Sequence, residues 1–174
     1  SSDPTALDVS VVGVHDSETG EYTAYLEADF AKMWPVFEAA DALVTFNGEH
    51  FDIPLLNKYY HGDLSKIKSI DLLVTVQQSL GRRIKLDILA EATLNKKKSG
   101  NGLEAVAWWK SGEIDKIIKY CLDDVRVTRE LYEYMRDQKS VKYRDQTGTV
   151  RELRLNTAGW DQATGHAMNF SLPF

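Results

Sequence analysis

Two spacings of apolar residues run through the chain, alternation over short segments and recurrence every three or four positions over longer ones. Val9 to His15 (V-S-V-V-G-V-H) and Glu21 to Leu26 (E-Y-T-A-Y-L) carry the strand pattern. Asp16-Ser17-Glu18-Thr19-Gly20 between them are turn formers, so a hairpin is predicted. Asp29 to Ala40 places Phe30, Met33, Trp34 and Phe37 at helical spacing, with Asp29 as N-cap. Ala42 to Phe46 (A-L-V-T-F) reads as a short buried strand, and Asp52 to Tyr60 as a helix with Pro54 in its first turn. Helices are also predicted over Asp71 to Leu80 and Lys85 to Leu94, with Gly81 as the stop between them. A short helix from Glu104 to Lys110 ends at Ser111-Gly112. The clearest helix runs from Glu113 to about Met135, its stripe formed by Ile114, Ile117, Cys121, Val125, Leu131 and Met135. Val141 to Arg144 and Val150 to Leu155 flank Asp145-Gln146-Thr147-Gly148 as a second hairpin. Lys96 to Gly102 is loop-like, and the tail after Asn156 reads as irregular. A hairpin followed by helices alternating with short strands predicts an α/β layered fold.

Composition narrows the class. The 174 residues suit one unit spanning 1–174, with a core over about 9–155 and a tail over 156–174. With 43% hydrophobic residues, 11 Gly and 4 Pro, the chain is neither collagen-like nor low-complexity. No apolar run approaches the ~20 residues that span a bilayer. The single cysteine, Cys121, forms no internal disulfide, and Ser1-Ser2-Asp3-Pro4 lacks the features of a secretory leader. A soluble, cytoplasmic protein is therefore expected. The net charge of −5 argues against coating nucleic acid by charge alone. It leaves room for an enzyme that meets phosphates through bound divalent cations.

Two segments carry candidate chemistry. Phe46-Asn47-Gly48-Glu49-His50-Phe51-Asp52 follows a predicted buried strand and opens a helix, so an acid there sits at the carboxyl end of a strand. The plain alternative is that Asp52 caps the helix. In Tyr120-Cys121-Leu122-Asp123-Asp124, Tyr120 and Asp124 share one helix face, one turn apart. Asp124 borders the apolar stripe, where a carboxylate needs a cation or a donor. Lys119, Arg126 or another arginine would be its ordinary partner, and Asp123 faces solvent. Two acids from separate elements, with a tyrosine hydroxyl beside one, suit a divalent-metal hydrolytic site.

F-N-G-E-H-F-D-I-P-L-L resembles motif II of the DEDD 3′–5′ exonucleases, as written in the proofreading domain of family-B DNA polymerases. Y-C-L-D-D-V resembles their motif III in the tyrosine (DEDDy) subclass of DnaQ-like enzymes. S-I-D-L-L, L-D-I-L-A and K-S-G-N-G-L-E-A-V-A-W-W-K resemble the ribonuclease-H-like YprB-type exonucleases, and the likeness covers about Val9 to Leu155. The resemblance implies a three-layer α/β/α fold with a mixed central sheet, to which the second hairpin is appended. It implies two Mg²⁺ or Mn²⁺ ions. Asp52 and Asp124 would be metal ligands, Tyr120 would orient the attacking water, Asn47 would lie near the substrate strand, and Phe51 would mostly pack. The implied reaction removes one nucleotide from the 3′ end of single-stranded DNA or RNA by a two-metal mechanism.

The family's motif I, an Asp-x-Glu on the central strand, has no match upstream of the hairpin. Asp16 and Glu18 fit it in letters (D-S-E-T-G), but their turn-forming context favours a hairpin turn. Two expectations follow. In one, the central strand comes from a preceding segment or another chain and the exonuclease is active. In the other, the domain is catalytically inactive and binds nucleic acid or acts as a scaffold. A small-molecule phosphodiesterase or nucleotidase on the same fold is a third reading. Among other candidates, Asp71 reads as an N-cap or a support to the site, and Asp87 as an acid early in a helix. His15, His50, His61 and His166 show no metal-ligand spacing. Lys96, Lys97, Lys98, Arg82, Arg83 and Lys85 suit either phosphate contacts or a solvated loop, and only one of Trp108 and Trp109 can face the core.

Overall fold

Alternation along the first strand sorts its side chains onto two faces. Val12 and Val14 join one apolar cluster while Val11 joins another, across the sheet. The structure is a computed structural model that describes residues 9–97, 102–160 and 166–173. Strands β1 (Val11–Asp16) and β2 (Tyr22–Leu26) form the predicted antiparallel hairpin. Gly20, at φ 74°, closes its turn, and its N–H bonds to the Asp16 carbonyl. Helix α1 (Phe30–Ala39) buries Phe30, Met33, Trp34 and Phe37. Asp29 does not cap it, contrary to expectation. A 3₁₀ turn over Glu27–Asp29 already engages the Phe30 N–H, and Asp29 pairs with Lys32 at 3.4 Å.

Strand β3 (Ala42–Thr45) is wholly buried. The helix expected over Asp52 to Tyr60 is much shorter: a five-residue π-type turn (Gly48–Asp52) leads into α2 (Ile53–Leu56). Asn57 turns the chain away, because its side chain accepts from the Leu64 N–H at 2.8 Å and donates to the Gly62 carbonyl. Next come β4 (Ser69–Asp71), α3 (Leu72–Leu80) and α4 (Leu86–Leu94), with Gly81 between the helices at φ 84° as predicted. Then follow α5 (Gly102–Lys110), the long α6 (Ile114–Gln138) and the hairpin of β5 (Ser140–Arg144) and β6 (Val150–Arg154). Thr93 ties that hairpin to α4, its hydroxyl bonding the Lys142 carbonyl and N–H at 2.9 and 3.0 Å.

The predicted irregular tail is corrected by β7 (Ala167–Ser171), which lies at the centre of a five-stranded mixed sheet of order β2-β1-β7-β3-β4. It pairs antiparallel with β1 and parallel with β3. The signal was present in the letters. Met168, Phe170 and Leu172 alternate with Asn169 and Ser171, and the three apolar residues enter the cluster beneath α1 and α2. The central strand expected from a preceding segment or another chain is thus supplied here by the chain itself.

The sheet is flanked on both faces, which makes the fold the expected α/β/α arrangement. One face packs on α1 and α2, the other on α6, α3 and α4. Helix α6 lies close over β1: a Cβ on Gly13 would come within 3.0 Å of the Cys121 carbonyl and of Val125. Cys121 itself is buried, and burial pushes its thiol pKa well up. Among the described residues, no helix is long and apolar enough to cross a membrane.

Candidate active site

Strand β3 ends at Thr45, and the four residues after it are held by a single carboxylate. Asp71, buried at the end of neighbouring β4, accepts from the N–H groups of Asn47 at 2.8 Å and Glu49 at 3.1 Å. The same side chain accepts from Leu73 N–H at 3.0 Å and so caps α3. Asp71 is therefore the expected N-cap, and it also holds the turn that follows β3. Asn47 adopts the left-handed conformation (φ 68°), which Asn tolerates better than most residues, and Gly48 N–H bonds to the Thr45 hydroxyl at 3.0 Å. This turn carries Asp52 toward α6. Asp52 makes no side-chain cap bond, so the plain helix-cap reading does not hold.

Asp124 arrives from the other side, on the face of α6 that covers the sheet. Ser171 of β7 donates its hydroxyl to Asp124 Oδ2. Arg126, one of the basic residues expected beside Asp124, bonds Asp123 instead at 3.3 Å. Asp52 and Asp124 line one cavity of about 620 Å³ at the carboxyl ends of the parallel strands β3 and β7. Asn47, Phe46 and Phe51 line it as well, and Asp87 joins from the first turn of α4. Tyr120 lies one helical turn before Asp124, buried, with its ring 6.1 Å from that of Trp108. Trp109 is 52% exposed, so one tryptophan of the pair faces inward, as predicted.

The electrostatics of the pair are informative. Burial first, then the charge of Asp124, then that of Asp71, hold the Asp52 carboxyl well above the usual carboxylate range. Negative potential concentrated in a half-buried cleft is what a divalent cation relieves. Two carboxylates facing one cavity fit a single hydrated divalent ion, since Mg²⁺ characteristically binds through one or two carboxylates and retains waters. A larger cavity of about 740 Å³, between α5 and the β2 edge, is mostly apolar and holds none of this chemistry.

Asp16 and Glu18 are not brought to this cavity. Strand β1 runs antiparallel to β7, so Asp16 stands beside Met168 while Ser171 pairs with Gly13, three residues farther along. Asp16 and Glu18 meet His166 instead, its Nε2 2.5 Å from Asp16 and its Nδ1 3.3 Å from Glu18. These three could hold a metal ion by proximity, although each imidazole nitrogen already faces a carboxylate as in an ion pair. The histidine spacing concealed this cluster, because 150 residues separate its members. The position on β7 beside Asp124 carries Ser171, and its neighbour on the same strand face is Asn169. Sequence reasoning had no signal for Ser171, whose contact with Asp124 spans 47 residues and depends on tertiary pairing.

The sequence over residues 2–136 matches the profile of the RNase H superfamily. The chain belongs to that superfamily. No curated protein and no solved structure matches it. As an RNase H superfamily member it falls in a group whose fold points to nucleic-acid hydrolysis with divalent metal ions. The five-stranded mixed sheet flanked by helices agrees with that assignment.

Proposed function

We propose that this chain is a metal-dependent 3′–5′ exonuclease of the DEDDy, YprB-like kind, hydrolysing terminal phosphodiester bonds of single-stranded DNA or RNA. The observation that carries the reading is the convergence of Asp52 and Asp124, from a strand-end turn and a long helix, on one cleft with a raised Asp52 carboxyl. A divalent ion (Mg²⁺ or Mn²⁺) bound there supplies Lewis-acid activation of water and neutralises charge at the scissile phosphate. Asp52 and Asp124 hold it. Tyr120, buried one turn from Asp124, positions the attacking water, and Asn47 and Phe51 flank the substrate's terminal nucleotide. The donor set facing the cleft fits one ion directly, and the two-ion mechanism of the resembling enzymes needs further acids beside it.

Ser171 beside Asp124 favours a second reading, an inactive domain of the same fold that retains nucleic-acid binding. A nuclease assay separates the two. The substrates are 5′-labelled single-stranded DNA and RNA, with Mg²⁺ or Mn²⁺, and Asp124→Ala as the control. The exonuclease reading expects a ladder shortening from the 3′ end. Asp124→Ala should slow it at least about 100-fold, beyond the 10- to 100-fold typical of losing an outer-shell partner. A folded parent that binds the strands but cuts none of them under either ion supports the inactive reading. Equal cutting by parent and variant removes Asp124 from the mechanism.

A further inference from the structure

The cleft that holds the acids has a cationic wall. Arg82, Arg83 and Lys85 occupy the loop between α3 and α4, and all three line the cavity shared by Asp52 and Asp124. The loop is firmly placed. Gly81 ends α3 in the left-handed conformation, and the buried Ile84 and Leu86 anchor the segment in the core beside Leu73 and Val76. Backbone alternation then turns Arg83 and Lys85 outward, and both are exposed, as is Arg82. The Arg82 guanidinium lies 5.9 Å from the Tyr143 ring and bonds the Arg83 carbonyl at 3.4 Å. Among the described residues, none of the three cations enters an ion pair, whereas Lys96, beyond the other end of α4, is committed to Glu130 at 2.6 Å.

A chain of net charge −5 with acids in its cleft repels a polyanion, so a substrate strand needs local compensation. Three neighbouring cations in the cavity lined by Asp52, Asp87 and Asp124 provide it, and the half-buried Phe46 and Phe51 offer ring surface in the same cleft on which bases can stack. We infer that the α3–α4 loop is the phosphate-binding wall of the cleft, with Arg82, Arg83 and Lys85 gripping successive phosphates of a single-stranded nucleic acid. The inference rests on the exonuclease reading for its substrate class, and it assigns binding residues which that reading does not need.

Binding is measured without cleavage, by fluorescence anisotropy of a labelled single-stranded oligonucleotide in EDTA across a salt series. The proteins are the parent, Arg82→Ala/Arg83→Ala, and the charge-matched control Lys32→Ala/Lys116→Ala, whose residues are exposed and paired elsewhere. Ile84 stays in place, so the core anchor is kept, and melting curves verify folding. The loop variant should bind about tenfold more weakly and flatten the salt dependence by about 1.4, at about 0.7 per single-strand phosphate contact, while the control matches the parent. Unchanged affinity and slope in the loop variant overturn the inference and leave the exonuclease reading intact. Loop-dependent binding by a parent that cuts nothing in Mg²⁺ or Mn²⁺ upholds the inference and removes the exonuclease. A parent that binds no oligonucleotide in EDTA overturns the inference, and the cleavage assay in Mg²⁺ or Mn²⁺ then decides the exonuclease reading separately.

Discussion

Gly48 shows how tightly the candidate site is set at the level of single atoms. A Cβ there would lie 2.2 Å from the Thr45 hydroxyl oxygen and 2.5 Å from Thr45 Cβ, and neither can retreat from the buried end of β3. Gly48→Ala is therefore expected to cost about 1–3 kcal/mol, the usual range for overpacking, and to displace the turn that carries Asp52. Chemical denaturation measures the first effect, and loss of divalent-ion binding the second. A variant with parental stability and ion affinity contradicts the geometry. Asp52 leads to a prediction in pH. Its folded-state pKa is raised, by burial and by Asp124, so the folded state binds a proton more readily than the unfolded chain. Stability then falls as pH rises from the ordinary carboxylate pKa through the raised one, and Asp52 is a liability at neutral pH. Asp52→Asn should melt higher than the parent in EDTA at neutral pH, with the gap closing as pH falls toward 4, near the unfolded pKa. Added Mg²⁺ should narrow the gap by stabilising the parent alone. A variant that melts lower at neutral pH removes the like-charge strain.

At the scale of elements, each catalytic candidate is delivered by a different kind of support. Asp124 rides on a 25-residue helix whose stripe of Ile117, Cys121, Val125, Leu131 and Met135 is buried against the sheet, so its position is fixed by the whole helix. Asp52 rides on a short turn, fixed by Thr45, Asp71 and the left-handed Asn47. Strand β7 is the third support. Phe170 is 1% exposed and packs on Phe37 with ring centroids 5.0 Å apart. Phe170→Ala should cost about 3–5 kcal/mol by denaturant unfolding, because the cavity opens in the middle of the sheet where neighbours cannot collapse. A cost below about 1 kcal/mol would show that β7 does not occupy that slot.

For the whole molecule, the strand order gives β7 a joining role. Among the described residues, the β1–β2 hairpin and the β3–β4 pair are joined in the sheet through β7. Native-state hydrogen exchange should therefore find the β7 amides as protected as those of β1 and β3, opening only with global unfolding. Fast exchange in β7 alone would mean that the two halves hold together by side-chain packing. Superfamily membership, a cleft at the carboxyl ends of parallel strands, and a cationic loop facing two acids all point to nucleic acid as substrate.

The pattern of residues by itself determined the first hairpin, α1, β3, the two helices around Gly81, α6 and the second hairpin, because each carries a local periodicity bounded by turn formers or a glycine stop. It also singled out Asp52, Tyr120 and Asp124 by the resemblance of two short segments to known motifs; Asp52 and Asp124 line one cleft, and Tyr120 lies one helical turn from Asp124. Tertiary structure alone decided what surrounds them. The tail became the central strand because Met168, Phe170 and Leu172 bury an apolar face that no local rule assigns to a partner. Asp16 and Glu18 went to His166 at the far end of the sheet because β1 and β7 run antiparallel, a fact of pairing that leaves no trace in spacing. Ser171 came to Asp124, and Arg82, Arg83 and Lys85 to the cleft, by the same cause: contacts between residues distant along the chain follow from which faces pack together, and the sequence encodes those faces one element at a time.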